Sequence, residues 1–249
     1  MNAQSCLLVD NSNTRTKFML CSGESAPELR ILYTAEISHD SVGAVLEGWR
    51  FERACLCSVV PWAAQILSEV LGGIELVQLN TASAKGVDFS TYPGADTLGA
   101  DRVANVMAAV RHATLPLVAV DMGTATTLDV VVQGGNGPVF AGGLIAPGLS
   151  AVAECLNQRT AMLPVAEYQT PGPVVGRNTR EAMAAAVRVG YPGMLDSLLS
   201  AVESELGEQV QVVLTGGDAQ ELAPALHHRG KLVPSLTLEG LALALDVQL

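Results

Sequence analysis

Cys6-Leu7-Leu8-Val9-Asp10-Asn11-Ser12-Asn13-Thr14-Arg15-Thr16-Lys17-Phe18 runs an apolar strand into an aspartate, turns tightly and climbs out through a strand rich in hydroxyls and cations. The plan returns in Leu117-Val118-Ala119-Val120-Asp121-Met122-Gly123-Thr124-Ala125-Thr126-Thr127-Leu128-Asp129-Val130-Val131-Val132. Two copies imply two similar halves facing a shared cleft, each offering a carboxylate, hydroxyls and turn amides. Turn amides left out of a ladder form nests for phosphate oxygens. An aspartate can hold Mg²⁺ directly or through water, because Mg²⁺ takes oxygen ligands and keeps several waters. One such stretch alone reads first as a buried strand whose aspartate caps a turn. The repetition favours a metal–nucleotide site, as does Lys17, placed to reach back over the first turn.

Outward from these hairpins the pattern is that of an α/β chain. Strands are expected over 5–10, 15–21 and 29–37, the last with Leu29, Ile31, Tyr33 and Ala35 alternating against polar neighbours. A helix near 40–49, a short buried strand over 54–60, a helix over 62–71 and a strand over 74–79 follow. Residues 81–97 form a polar loop, and a helix runs over 100–112. The second half repeats the plan with strands near 116–121, 126–133 and 138–145. Gly134-Gly135-Asn136-Gly137 supplies the hairpin turn. Helices are expected over 148–158 and 179–205, then a strand over 209–214. Gly216-Gly217 opens a helix reaching His228, kinked or split at Pro224, and a last helix covers 238–247. No Pro/Gly/Ser linker separates the halves, so the boundary at 114/115 is a tight seam between domains 1–114 and 115–249.

Of the 249 residues, 49% are hydrophobic and only 16% charged, which places the chain among folded rather than disordered sequences. A net charge of −11 argues against nucleic acid as a partner. Met1-Asn2-Ala3-Gln4-Ser5 has no basic leader character, and the apolar run 115–132 carries Asp121, Asp129 and several threonines. The chain therefore reads as cytoplasmic, with no membrane segment. Cys6, Cys21, Cys55, Cys57 and Cys155 fit neither a disulfide framework nor zinc spacing; they read as small buried residues in a reducing compartment. His227-His228 sits near a helix end, Trp49 and Trp62 flank a buried strand, and the Ala-rich Glu181–Val189 stretch suggests close helix packing.

Leu98-Gly99-Ala100-Asp101-Arg102 opens the helix over 100–112. An aspartate there suits the helix dipole whatever its role. It is also placed to accept a proton from a substrate hydroxyl, beside an arginine that can orient an anion.

The chain resembles the type III pantothenate kinases, of the acetate and sugar kinase, heat-shock 70 and actin superfamily. The resemblance rests on Asp10-Asn11-Ser12-Asn13-Thr14 with Lys17, Ser58-Val59-Val60-Pro61, Gly99-Ala100-Asp101-Arg102 and Asp121-Met122-Gly123-Thr124-Ala125-Thr126-Thr127. It continues in Gly142-Gly143-Leu144-Ile145-Ala146-Pro147-Gly148, Gly176-Arg177-Asn178-Thr179 and Thr215-Gly216-Gly217, all in order. It implies two ribonuclease-H-like, actin-like ATPase halves with mixed sheets flanking a central cleft, in a homodimer. The implied activity is ATP-dependent phosphorylation of pantothenate, the first step towards coenzyme A, with Mg²⁺ and a monovalent cation, K⁺ or NH₄⁺. Asp10, Asn11, Ser12, Asn13, Thr14, Arg15, Thr16 and Lys17 match the phosphate-binding hairpin, with Asp10 nearest Mg²⁺. Asp101 matches the general base; Tyr92, Gly99, Ala100, Asp101, Arg102 and Thr179 match pantothenate contacts. Thr124, Gly216 and Gly217 belong to the nucleotide, and Asp121 matches the monovalent-cation ligand.

One residue departs from the family. Ser12 stands where the family has glycine; if that position needs a positive φ, a serine there is strained. Two other readings share these residues: a kinase of another small alcohol or carboxylate, and a non-catalytic homologue that senses a metabolite.

Overall fold

The computed structural model describes residues 5–22, 26–169, 171–247 and 249. Residues 1–4, read above for a leader, lie outside them. The first sheet holds β1 (Cys6–Asn11), β2 (Arg15–Cys21), β3 (Glu28–Tyr33), β4 (Arg53–Ser58) and β5 (Glu75–Gln78), in the order β3-β2-β1-β4-β5. The second holds β6 (Leu117–Met122), β7 (Ala125–Gly134), β8 (Gly137–Pro147), β9 (Gln211–Thr215) and β10 (Gly230–Leu232), in the order β10-β9-β6-β7-β8. Taken from the opposite edge, the second sheet matches the first strand for strand. Both are mixed: β1 runs antiparallel to β2 and parallel to β4, and β6 antiparallel to β7 and parallel to β9.

Two compact units form. The first comprises residues 1–111, 133–141 and 235–249; the second comprises 112–132 and 142–234. In the first, β1 is buried along its whole length, as a central strand covered on both faces must be. Leu7, Val9, Phe18 and Leu56 pack against Val42 of α1 (His39–Leu46) and Leu67 of α2 (Pro61–Val70). The remaining helices of this unit are α3 (Ala100–Ala109) and α7 (Leu236–Ala244). They are tied by a buried bond from the Thr237 hydroxyl to Asn105 Oδ1 at 2.8 Å. In the second unit, Val118, Val120, Leu128 and Leu214 pack against Leu149 of α4 (Leu149–Arg159) and Leu195 and Leu199 of α5 (Thr179–Leu206).

Three expectations change. The single helix expected from Gly216 to His228 is a short α6 (Ala219–Leu222), a 3₁₀ turn at Ala223–Ala225 and a loop, bent at His227 and His228, that leads into β10. Pro224 at the start of the 3₁₀ turn lacks the N–H that would carry the α-helix onward. The alternation in β3 holds, but Leu29, Ile31 and Tyr33 are exposed, and Leu32 turns inward. On that inner side Arg30 lies over the Trp49 ring at 4.1 Å and Trp49 Nε1 donates to Glu28 at 3.0 Å, so a cation occupies a place expected to be apolar. Ala35 falls in a 3₁₀ turn beyond the strand. Four cysteines are buried, but Cys155 is exposed on α4. Of the tryptophans, Trp49 is core and Trp62 is exposed. Among the described residues, no helix is long and apolar enough to cross a membrane.

Candidate active site

In the first unit the β1–β2 hairpin holds a buried carboxylate at its tip. Asp10 pairs in register with Lys17, and antiparallel partners point to the same face. Lys17 Nζ therefore reaches Asp10 Oδ2 at 3.1 Å. Ser12 Oγ donates to Asp10 Oδ1 at 3.1 Å. Ser12 N bonds to Arg15 O at 3.1 Å and closes the turn, leaving Asn13, Thr14 and Arg15 exposed at its end. Beneath the turn lies a buried polar network. Asn11 Nδ2 donates to Thr16 Oγ1 at 2.7 Å, the Thr16 and Thr34 hydroxyls meet at 3.0 Å, and Thr34 Oγ1 donates to Ser12 O at 2.7 Å. Ser58 Oγ donates to Asn11 Oδ1 at 2.6 Å. Such a network fixes the turn only because each member has a partner. Thr34 was not legible as a member, since nothing local marks a threonine 18 residues downstream of Thr16 as its neighbour.

Ser12 is not strained. Among the described residues only Asp246 combines a side chain with a positive φ. The serine is accommodated in an ordinary conformation, and its hydroxyl serves the carboxylate.

Asp101 lies in the first turn of α3, half-buried, with Oδ1 accepting from Arg102 N at 2.8 Å. Burial pushes its carboxyl above the usual carboxylate range and the charge of Asp10 adds to the rise, while the Arg102 amide and guanidinium pull the other way. The Asp10–Asp101 interaction places the two carboxylates within one electrostatic neighbourhood. Gly99 lies close under Asp101: a Cβ there would stand 2.6 Å from Asp101 Oδ1 and would push that carboxylate aside. Arg102 and Tyr92 converge on Phe140. The guanidinium carbon is 5.9 Å from the Phe140 centroid, and the Tyr92 ring meets it edge-on at 4.9 Å. Ala100 opens α3 between Gly99 and Asp101.

In the second unit the turn from β6 to β7 is held from two sides. Gly148 N donates to Thr124 O at 3.2 Å and Asp218 N to Met122 O at 3.0 Å. Gly216 takes φ +97°, and a Cβ there would stand 2.4 Å from Met122 O and 2.6 Å from Asp121 Oδ1. The half-exposed Asp121 carboxylate thus meets bare backbone. Gly217 faces open space. Thr179 is the exposed first residue of α5, whose N-cap Asn178 accepts from Glu181 N at 3.0 Å. Sequence reasoning missed the role of His228: Nδ1 lies 2.8 Å from Asp196 and Nε2 3.3 Å from Glu203, pinning the loop before β10 to α5.

Among the described residues, no three His, Cys, Asp or Glu side chains converge as a metal cage. The buried Asp10 carboxylate, with the Ser12 hydroxyl and Lys17 beside it and Asp101 in its field, could hold an ion such as Mg²⁺, which takes one or two carboxylates and completes its shell with water and phosphate. The half-exposed Asp121 carboxylate offers oxygen to a hard monovalent cation.

The family model for type III pantothenate kinase matches residues 6–201. A type III pantothenate kinase of Akkermansia muciniphila is 39% identical over 245 residues, covering 98% of this chain and 99% of that protein. Among solved structures, a conserved putative Baf family transcriptional activator from Campylobacter jejuni superposes with a TM-score of 0.61 at 19% identity, over 96% of this chain and 97% of that one. An archaeal actin homolog superposes with a TM-score of 0.53 at 10% identity, over 97% and 99%. These likenesses show an actin-like ATPase fold, as the duplicated strand order does. The chain belongs to the type III pantothenate kinase family.

Proposed function

We propose that this chain transfers the γ-phosphoryl group of ATP to the primary hydroxyl of pantothenate, giving 4′-phosphopantothenate and ADP, the first step towards coenzyme A. The observation that carries the reading is Asp101: a carboxylate at the head of α3, its pKa raised by burial and by the charge of Asp10, alongside a hairpin whose Asp10 is ion-paired with Lys17. A base whose pKa is raised towards the working pH accepts a proton more readily. Phosphoryl transfer asks chiefly for positioning and charge neutralisation.

In this reading the pantothenate hydroxyl loses its proton to Asp101 as its oxygen bonds to the γ-phosphorus, and the bond from that phosphorus to the β–γ bridging oxygen breaks. Arg102, Tyr92, Gly99, Ala100 and Thr179 orient pantothenate, Arg102 through its anionic carboxylate or an amide oxygen. Asn11, Ser12, Asn13, Thr14, Arg15, Thr16 and Lys17 receive the phosphates. Thr124, Gly216 and Gly217 receive the nucleotide. Asp10 holds Mg²⁺, and Asp121 the K⁺ or NH₄⁺; both ions would neutralise phosphate charge. Ser12, the one residue that spoke for a non-catalytic homologue, is unstrained and bonded to Asp10, which removes that ground.

The reading includes a homodimer in the cytoplasm. In the second unit Leu156, Met162, Val174, Val175 and Val189 are exposed, apolar side chains that a second copy would cover. By topology we divide the chain at 114/115 into two ribonuclease-H-like halves, since β1–β5 and β6–β10 fall on either side. The deciding experiment supplies ATP, Mg²⁺, pantothenate and either K⁺ or Na⁺, and measures 4′-phosphopantothenate by mass spectrometry. Product dependent on K⁺ is expected. No product under saturation would sink the kinase reading, and equal rates in Na⁺ and K⁺ would sink the role of Asp121.

A further inference from the structure

Phe140 belongs to none of the chemistry-bearing motifs, yet it is 1% exposed beneath the Asp88–Tyr92 loop. Its ring lies 5.3 Å from that of Phe89, and meets Tyr92 edge-on at 4.9 Å and 87°. The Arg102 guanidinium stands 5.9 Å from its centroid. Its backbone works in the same place: Phe140 N donates to Asp88 O at 2.9 Å and Asp88 N to Pro138 O at 2.9 Å. The loop carrying Tyr92 is thereby laced to residues 137–140 by main chain, and its tyrosine is seated by the ring. An edge-to-face aromatic pair and a cation within about 6 Å of a ring face are each attractive and directional. One buried ring therefore sets two side chains that reach it from different elements.

We propose that Phe140 is a positioning residue for the acceptor substrate, fixing Tyr92 and Arg102 in the orientation that recognises pantothenate. The proposal rests on the functional reading above, in which those two residues meet the substrate. Phe140 itself is buried and acts through them. The β7–β8 hairpin tip, residues 133–141, thus supplies the floor of the acceptor site, a role that neither the turn glycines nor the alternation of the hairpin reveals. Since the nucleotide contacts lie elsewhere, loss of the ring should weaken pantothenate and spare ATP.

Steady-state kinetics on the full chain test this. Phe140→Leu, which keeps an apolar side chain and removes the aromatic face, should raise KM for pantothenate about 10-fold and leave KM for ATP within about twofold. Phe140→Tyr, which keeps the ring, should restore most of the affinity. In a Tyr92→Ala/Arg102→Ala background, Phe140→Leu should add less than about twofold to KM, because the groups it acts through are gone. Phe140→Met is the replacement if Phe140→Leu does not fold. Equal rises in both KM values, an undiminished effect in the double-variant background, or loss of folding by both the Leu and Met variants would make Phe140 a core residue only and overturn the proposal. A wild type that leaves pantothenate unphosphorylated removes the substrate reading and this proposal with it. A wild type that phosphorylates pantothenate, with KM unmoved in Phe140→Leu, overturns this proposal alone.

Discussion

Ser12 offers the sharpest test of how the phosphate-binding hairpin is held. Its hydroxyl donates to Asp10 Oδ1 at 3.1 Å, and Lys17 holds Oδ2 at 3.1 Å, so the two bonds fix the carboxylate from both sides. Ser12→Ala removes the hydroxyl and keeps the Cβ. A lost hydrogen bond of this kind costs about 1 kcal/mol net. Ser12→Gly removes the same bond and adds backbone freedom to the unfolded chain, about 0.5–1 kcal/mol more. No relief of strain opposes these costs, because Ser12 does not adopt a positive φ. At about 2–4 °C per kcal/mol for a chain of this length, Ser12→Ala should lower the unfolding midpoint by about 2–4 °C and Ser12→Gly by about 3–8 °C. Differential scanning calorimetry reads both. In kinetics, a carboxylate freed on one side should raise KM for ATP up to about fivefold in either variant, the equivalent of about 1 kcal/mol, with KM for pantothenate little changed. A glycine variant that melts higher than wild type, or binds ATP more tightly, would show that the serine is a burden and that the Ser12–Asp10 bond is unimportant.

Three further outcomes are expected. Asp101→Asn should lower kcat by about 10²–10⁴-fold, towards the smaller figure because a loose transition state asks little of its base; turnover near wild type would remove Asp101 from the mechanism. Because the folded pKa of Asp101 is raised, its stabilising contribution is present below the usual carboxylate value and is lost as pH rises through the raised one. The same Asn variant should therefore melt no lower than wild type at neutral pH, and the acid limb of the wild-type kcat/KM profile should lie above the ordinary carboxylate range. His228 is pulled down by burial but lifted further by Asp196 and Glu203, so its net pKa is raised. Its contribution is full below the ordinary histidine value of about 6.5 and fades as pH rises through the raised value, so the melting difference between wild type and His228→Gln should shrink as pH rises above that ordinary value; a pH-independent difference would refute the clasp. Gly216→Ala must place a Cβ 2.4 Å from Met122 O at φ +97° and should cost at least about 1–2 kcal/mol, whereas Gly217→Ala, with nothing within 4 Å, should be near neutral; equal effects would mean that the backbone there relaxes freely.

Local pattern alone determined much of this protein. An apolar run ending in Asp10 or Asp121 forms a buried strand wherever it lies, and a glycine before Asp101 opens a helix. The repeated order of such signals carries the duplicated α/β plan. Those are short-range effects of sterics and periodicity, so they are written in contiguous residues. The failures fell where a partner far along the chain decides. β10 is three exposed residues, Gly230–Leu232, and becomes a strand only because β9 offers its edge. Leu29, Ile31 and Tyr33 alternate as an inward face would, yet Arg30 found Trp49 and the other side turned in. Thr34 beneath the hairpin, His228 between two carboxylates and Phe140 under Tyr92 and Arg102 carry no local mark, because a side chain's role there is set by what packs against it. The direction of the Asp101 shift is of the same kind. The sequence places a carboxylate at a helix N-terminus, where the dipole would favour its charge. Only tertiary packing buries it and brings the charge of Asp10 to bear, and desolvation with like-charge repulsion outweighs the pull of the backbone amides and the Arg102 guanidinium.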